Sequence, residues 1–145
     1  MTKTLRIVAG SVSARATLDD SRTARAVWAA LPIEAAAQTW GDEIYFPVPV
    51  NLPEDEAQAV VALGDLGYWP PGRAFCIFFG PTPASRGDEC RPASPVNVVG
   101  RIDGDPTVFK AVRAGTPVRL ERAEAGEPAV AHKASEVGPA RQSGR

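Results

Sequence analysis

The chain has 145 residues, 44% of them hydrophobic and 23% charged, a mix that suits one globular domain able to build its own core. A net charge of −1 with a pI near 5.8 leaves no basic footprint for nucleic acid or anionic lipid. No apolar run approaches the ~20 residues of a membrane span. The opening MTKTLRIVAG reads directly as a strand, without the apolar stretch of a signal peptide, so a cytoplasmic location is expected.

In chain order, Leu5, Ile7 and Ala9 alternate with Arg6 and Val8, and Val12, Ala14, Ala16 and Leu18 alternate with Ser13, Arg15 and Thr17. This is a hairpin, turning at Gly10-Ser11, with one apolar face. Asp20, Ser21 or Thr23 can cap a helix over about 21–31 whose stripe is Ala24, Val27, Trp28 and Leu31. Pro32 ends it, and Trp28 is expected in the core. Glu34 to Trp40 is a weak strand; Gly41-Asp42 turns the chain and Glu43-Ile44-Tyr45-Phe46 returns it. PVPVNLPED has too many prolines for a central strand, and Ala57 to Leu63 is ambiguous between helix and strand.

The densest segment is GDLGYWPPGRAFCIFFGPTP at 64–83. Trp69-Pro70-Pro71-Gly72 forces a turn, with Gly72 free to take whatever angle it needs. Strands flank it at 66–69 and 74–79. The stretch 80–95 is a long irregular loop, of the kind that is functional or mobile. Val96 to Ile102 is a strand. Asp105-Pro106 starts a second helix over 105–114, with Val108, Phe109 and Val112 inward and Gly115 at its end. Thr116 to Glu121 closes the body. Residues 123–145 have no aromatic and no sustained period, and are expected to be a disordered tail. About eight short strands and two helices give a mainly β fold, a closed antiparallel barrel over residues 1–122 with helices sealing its ends.

The motifs TARAVWAALP at 23–32, WGDEIYF at 40–46, the segment 64–83, Ser85 and ASPVNVVGRI at 93–102 resemble, in order and spacing, the cyclophilin-like fold. They are most similar to a small prokaryotic cyclophilin-like family of unestablished function. The wider superfamily includes peptidyl-prolyl isomerases, which carry a Phe-His-Arg and a Gln where this chain has about WGDEIYFPVPV. No Arg, His or Gln stands there, and Asp42 and Glu43 have the wrong sign to polarise a twisted amide. Standard isomerase activity is therefore not expected, and no catalytic residue is assigned.

Candidate ligand-binding residues are Glu43 and Tyr45, Tyr68, Phe79, Thr82 and Ser85. Glu43 and Tyr45 share a strand face and can anchor an amine or amide, or they are an outward polar face. Tyr68 or Trp69 can offer a wide ring to a ligand, or both brace the diproline turn; neighbours on a strand cannot line one cleft together. Phe75, Ile77 and Phe79 oppose Cys76 and Phe78, one set filling the barrel and the other flooring a cleft or lying under a helix. Thr82 and Ser85 present hydroxyls to a ligand or brace a proline turn.

Cys76 is read as buried. Cys90, in a polar loop, can be either reactive or metal-binding, but with the single histidine, His132, in the tail no metal site is expected. No cofactor is expected. The leading reading is a module that binds a small molecule or short peptide. The alternatives are an enzyme, either an unorthodox prolyl isomerase or a hydrolase using Glu43, and an accessory interaction subunit.

Overall fold

Strict alternation makes the first hairpin. The computed structural model describes residues 3–123 and a two-residue strand at His132–Lys133. Strands β1 (Lys3–Ala9) and β2 (Val12–Leu18) pair from Lys3↔Leu18 to Ala9↔Val12, and every second side chain enters the core. Gly10 turns the chain with φ +62°, a left-handed angle that favours glycine. Helix α1 (Arg22–Ala30) follows, its first turn held by Ser21, whose Oγ accepts from the Ala24 N–H at 3.2 Å.

Ala24 and Val27 are buried, and Trp28 packs against the barrel core as expected but is not sealed within it. It is half-buried, with the Arg122 guanidinium 4.6 Å from its ring centre. Thr23 is buried instead, because its hydroxyl accepts from Asn97 Nδ2 at 3.1 Å.

The remaining strands are β3 (Ile33–Ala36), β4 (Gln38–Thr39), β5 (Glu43–Pro47), β6 (Asp65–Trp69), β7 (Ala74–Phe78), β8 (Asn97–Asp103), β9 (Pro117–Arg122) and β10 (His132–Lys133). Nine run in the order β3-β9-β1-β2-β8-β6-β7-β5-β4, while β10 pairs with β2 beside them; all pairings are antiparallel. The two ends of this order are successive halves of the segment 33–39. It pairs with β9, then changes partner to β5 at the buried Ala37, whose N–H and C=O bond Thr116 O and Gly115 N. One segment thus serves both edges and nearly closes the barrel.

The second expected helix is shorter and tighter, a 3-10 helix over Pro106–Ala111 capped by Asp105. Its Phe109 is buried in the barrel, 6.2 Å from Phe79 between ring centres. Ala57 to Leu63 is neither helix nor strand; it makes two isolated bridges, Gln58↔Val96 and Val61↔Cys90. In the diproline turn the left-handed residue is Arg73 (φ +48°), not Gly72. Gly72 is needed for space, since a Cβ there would lie 2.6 Å from the Trp69 ring. The tail expectation falls on residues that, apart from Ala123 and β10, lie outside the described ones.

Two apolar clusters result. The larger fills the barrel and includes Phe46, Tyr68, Phe75, Ile77 and Phe79. The smaller lies outside the barrel wall and comprises Val61, Cys76, Phe78, Cys90 and Val96, with Tyr45, Trp69 and Val98 packed against it. Strand β7 is buried at every position because it feeds both. Its unbroken apolar run is the pattern of a strand covered on two faces.

Tyr68 is sealed inside. Its hydroxyl donates to Val50 O at 2.6 Å and accepts from the Leu52 N–H at 3.2 Å, pinning the proline-rich segment over the barrel. Tyr68→Phe should lower unfolding free energy by about 1–3 kcal/mol in urea titration, because those backbone groups lose their partner. An unchanged midpoint would contradict this account.

Candidate functional site

Register decides which side chains meet outside the barrel. Glu43 pairs with Phe78, Tyr45 with Cys76, Gly67 with Cys76 from the other side, and Trp69 with Ala74. Paired residues share a face. The outer face of β5-β7-β6 therefore presents Glu43, Tyr45, Cys76, Phe78 and Trp69, while Ile44, Phe46, Tyr68, Phe75 and Ile77 point inward. Gly67 keeps this face low, since a Cβ there would stand 2.9 Å from Val96. A cleft of about 220 Å³ opens on it, lined by Trp40, Glu43, Tyr45, Trp69, Pro92, Ala93 and Val96.

Each wall is fixed by a local device. The Trp40 N–H donates to Glu43 O at 2.9 Å, so a tight turn sets Trp40 beside the start of β5. Trp69 Nε1 donates to Ser94 Oγ at 2.7 Å, tying its ring to the far loop. Asn97 anchors the base of that loop, donating to Thr23 Oγ1 and Pro53 O and accepting from the Asp55 N–H.

Glu43 is the polar centre of the cleft and is 5% exposed. Burial pushes its carboxyl up to about 7, against a smaller opposing effect of the neighbouring Cys76 thiol. Among the described residues no Lys or Arg forms an ion pair with it, whereas Asp42 pairs with Lys110, Glu89 with Arg91 and Asp65 with Arg101. The group can accept a proton or hydrogen bond from a bound molecule, or pass a proton near neutrality.

The loop 80–95 is self-bonded. Thr82 Oγ1 donates to Arg91 O, and Ser85 Oγ accepts from the Thr82 N–H (2.9 Å) and the Arg91 N–H (3.1 Å). Gly80 packs on Asp42, where a Cβ would meet Oδ2 at 2.3 Å. Cys90 is buried, which disfavours the reactive alternative. Its thiol donates to Gly80 O at 3.1 Å, and burial followed by the nearby carboxylates, Glu43 first, pushes it up to about 11. Burial likewise raises the Cys76 thiol well above its usual value.

Of the six residues expected from sequence, the structure brings Glu43 and Tyr45 together in the cleft. Tyr68 and Phe79 face the barrel interior, on the opposite side of the wall. Thr82 and Ser85 brace the loop that borders the cleft and do not line it. The neighbours Trp69 and Phe78 occupy the outer positions instead. Trp40, Pro92, Ala93 and Val96 were missed; for Trp40 the signal was a large ring just before the Gly41-Asp42 turn that leads into Glu43. A second, shallower depression of about 350 Å³ involves Thr17, Asp19, Asp65 and Arg101 but has no aromatic wall. Among the described residues no cluster of His, Cys, Asp and Glu has the makings of a metal site, and no helix is long and apolar enough to cross a membrane.

The elevated Glu43 carboxyl implies a pH dependence of stability. The folded state holds this proton from the unfolded value near 4.5 up to about 7. Over that window the folded state binds more protons, so stability falls as pH rises and levels off above it. Glu43→Gln should flatten this slope and raise stability above pH 7 by about 1–3 kcal/mol. Denaturant melts of both proteins from pH 4 to 8 check it; parallel curves would refute the assignment.

Comparison with known proteins agrees with this architecture. The model of the cyclophilin-like family matches residues 3–121. The solution structure of a hypothetical protein from Archaeoglobus fulgidus is 43% identical, with a TM-score of 0.71, covering 84% of this chain and 95% of that one. No curated protein matches the chain. The chain belongs to the cyclophilin-like family.

Proposed function

We propose that this cyclophilin-like domain binds a small molecule or short peptide in the aromatic cleft of Trp40, Glu43, Tyr45 and Trp69. The observation that carries this reading is the buried Glu43 carboxyl, set among aromatic walls and without an ion-pair partner among the described residues. A concave, mostly apolar site with few polar groups is the usual form of a small-ligand pocket. A solvated strand face would leave the carboxylate in water, and a structural acid would be paired.

The second reading is an enzyme, favoured by one observation: an acid that titrates near 7 suits proton transfer. It does not extend to the standard prolyl isomerase mechanism, because no arginine among the described residues lines the cleft. A protease-coupled proline-peptide assay should show no rate above background. Robust turnover would mean that another cation, such as the exposed Arg73, serves the reaction.

Binding is tested by a fragment and metabolite screen read by thermal shift, since ligands of the native state raise the melting temperature. Hits should quench or shift tryptophan fluorescence and lose affinity at least about tenfold in Trp69→Ala, which removes one ring of the cleft. Hits that bind Trp69→Ala and wild type equally would place the ligand elsewhere and end this reading of the cleft.

A further inference from the structure

The charge pattern around the cleft is uneven. Asp42, Asp65 and Glu89 each have a cation within 4.0 Å, supplied by Lys110, Arg101 and Arg91. Glu43, the most buried of these carboxyls, has no such cation among the described residues. The groups facing it are Tyr45 on its own strand, the Cys76 thiol from β7 and the Cys90 thiol from the loop, and burial keeps both thiols protonated. Next to this half of an ion pair stand the rings of Trp40, Tyr45 and Trp69, whose faces carry negative quadrupole charge. Pro92, Ala93 and Val96 complete the lining with no donor side chain and no positive charge. An anion would meet like charge here. A neutral polar ligand would have mainly the Glu43 carboxyl and the Tyr45 hydroxyl to bond, among mostly apolar walls. The volume of about 220 Å³ lies below the ~300 Å³ at which pockets begin to hold drug-sized molecules, so it fits a head group.

We propose that the cleft selects organic cations, specifically alkylated ammonium head groups, free or borne on a lysine side chain, with Glu43 as counter-charge and Trp40, Tyr45 and Trp69 as the aromatic cage. This rests on the binding reading above and deepens it by naming the ligand class. Alkylation suits the site because the methyl groups pack on rings and need no hydrogen-bond acceptors beyond one carboxylate. The cation completes an ion pair that the described residues leave half-made, and it draws Glu43 into its charged form. Affinity therefore rises with pH through neutrality.

The test uses an isosteric pair. Choline and 3,3-dimethyl-1-butanol have the same shape and differ in charge; 3,3-dimethylbutyrate supplies the anion, and acetyl-trimethyllysine amide the peptide-borne head group. Each is titrated into the full chain in a phosphate buffer free of organic cations, with tryptophan fluorescence and melting temperature as readouts. The expected result is that choline or the trimethyllysine amide binds at least about tenfold more tightly than the neutral isostere, the size of a desolvated cation–π contact. Whichever of the two binds more tightly identifies the source of the head group. Glu43→Gln, nearly the same shape, should lose most of that preference and the rise of affinity with pH. Trp69→Phe, which keeps a ring, should retain more affinity than Trp69→Ala.

Three results overturn the inference in whole or in part. Equal binding of the neutral isostere and choline, still dependent on Trp69, would remove the cation and leave cleft binding standing. Absence of any response to the cations would also remove it, and the wider screen then decides independently whether the cleft binds anything. A Glu43→Gln protein whose preference for choline over the isostere is unchanged would exclude Glu43 as the counter-charge.

Discussion

Strand β7 has no solvent face, and the rest of the molecule is arranged around that constraint. A barrel wall ordinarily shows its outer side to water. Here Cys76 and Phe78 point outward and must be covered, each large apolar side chain being worth roughly 1.5–3 kcal/mol when buried. The cover is the loop after β7, which folds back so that Cys90 and Val96 lie on them, with Val61 beside. The loop must then satisfy its own backbone, and the hydroxyls of Thr82 and Ser85 do so. The cleft is what remains where this cover stops short of β5.

The cleft is a poor compromise for stability alone. A buried acid without a cation costs free energy that a leucine at the same position would not. Rings at the rim add to the exposed apolar area. Local choices that conflict with the fold tend to mark functional positions. The same rings are nonetheless held with care. Trp69 rests over Gly72, where no side chain fits, and is hydrogen-bonded to Ser94. The diproline turn and the far loop therefore fix the orientation of one aromatic wall.

Much of the fold was legible because alternation and punctuation are local signals. The first hairpin, the Ser21 cap, the Asp105-Pro106 start and the opposition of Phe75, Ile77 and Phe79 to Cys76 and Phe78 could all be read residue by residue. The membership of the site could not. Parity within each strand showed that Glu43 goes with Tyr45, and that Tyr68 and Trp69 part. It could not say which parity of β6 matches which parity of β5, because that depends on cross-strand register. Tyr68↔Phe75 and Tyr45↔Cys76 supply it, and they send Tyr68 inward. Trp28 packs on the core as its stripe implies, yet its outer face was not legible. Helical spacing found its stripe but could not foresee that Arg122, nearly a hundred positions later, would cover its face.

The barrel's seam has a consequence for how the chain is made. Segment 33–39 waits for β5 on one side and β9 on the other, and β9 is the last strand of the barrel path. Contacts such as Ile33↔Leu120 close a very long loop. Their entropic cost must be met before they return any stability, so such pairings form late and slowly. On a ribosome the N-terminal hairpin and α1 emerge well before their partner strand exists, leaving the free edges of β1 and of the seam segment exposed. Unpaired edges invite pairing with other chains. For this protein the vulnerable interval is synthesis, and it ends when the chain has passed Arg122.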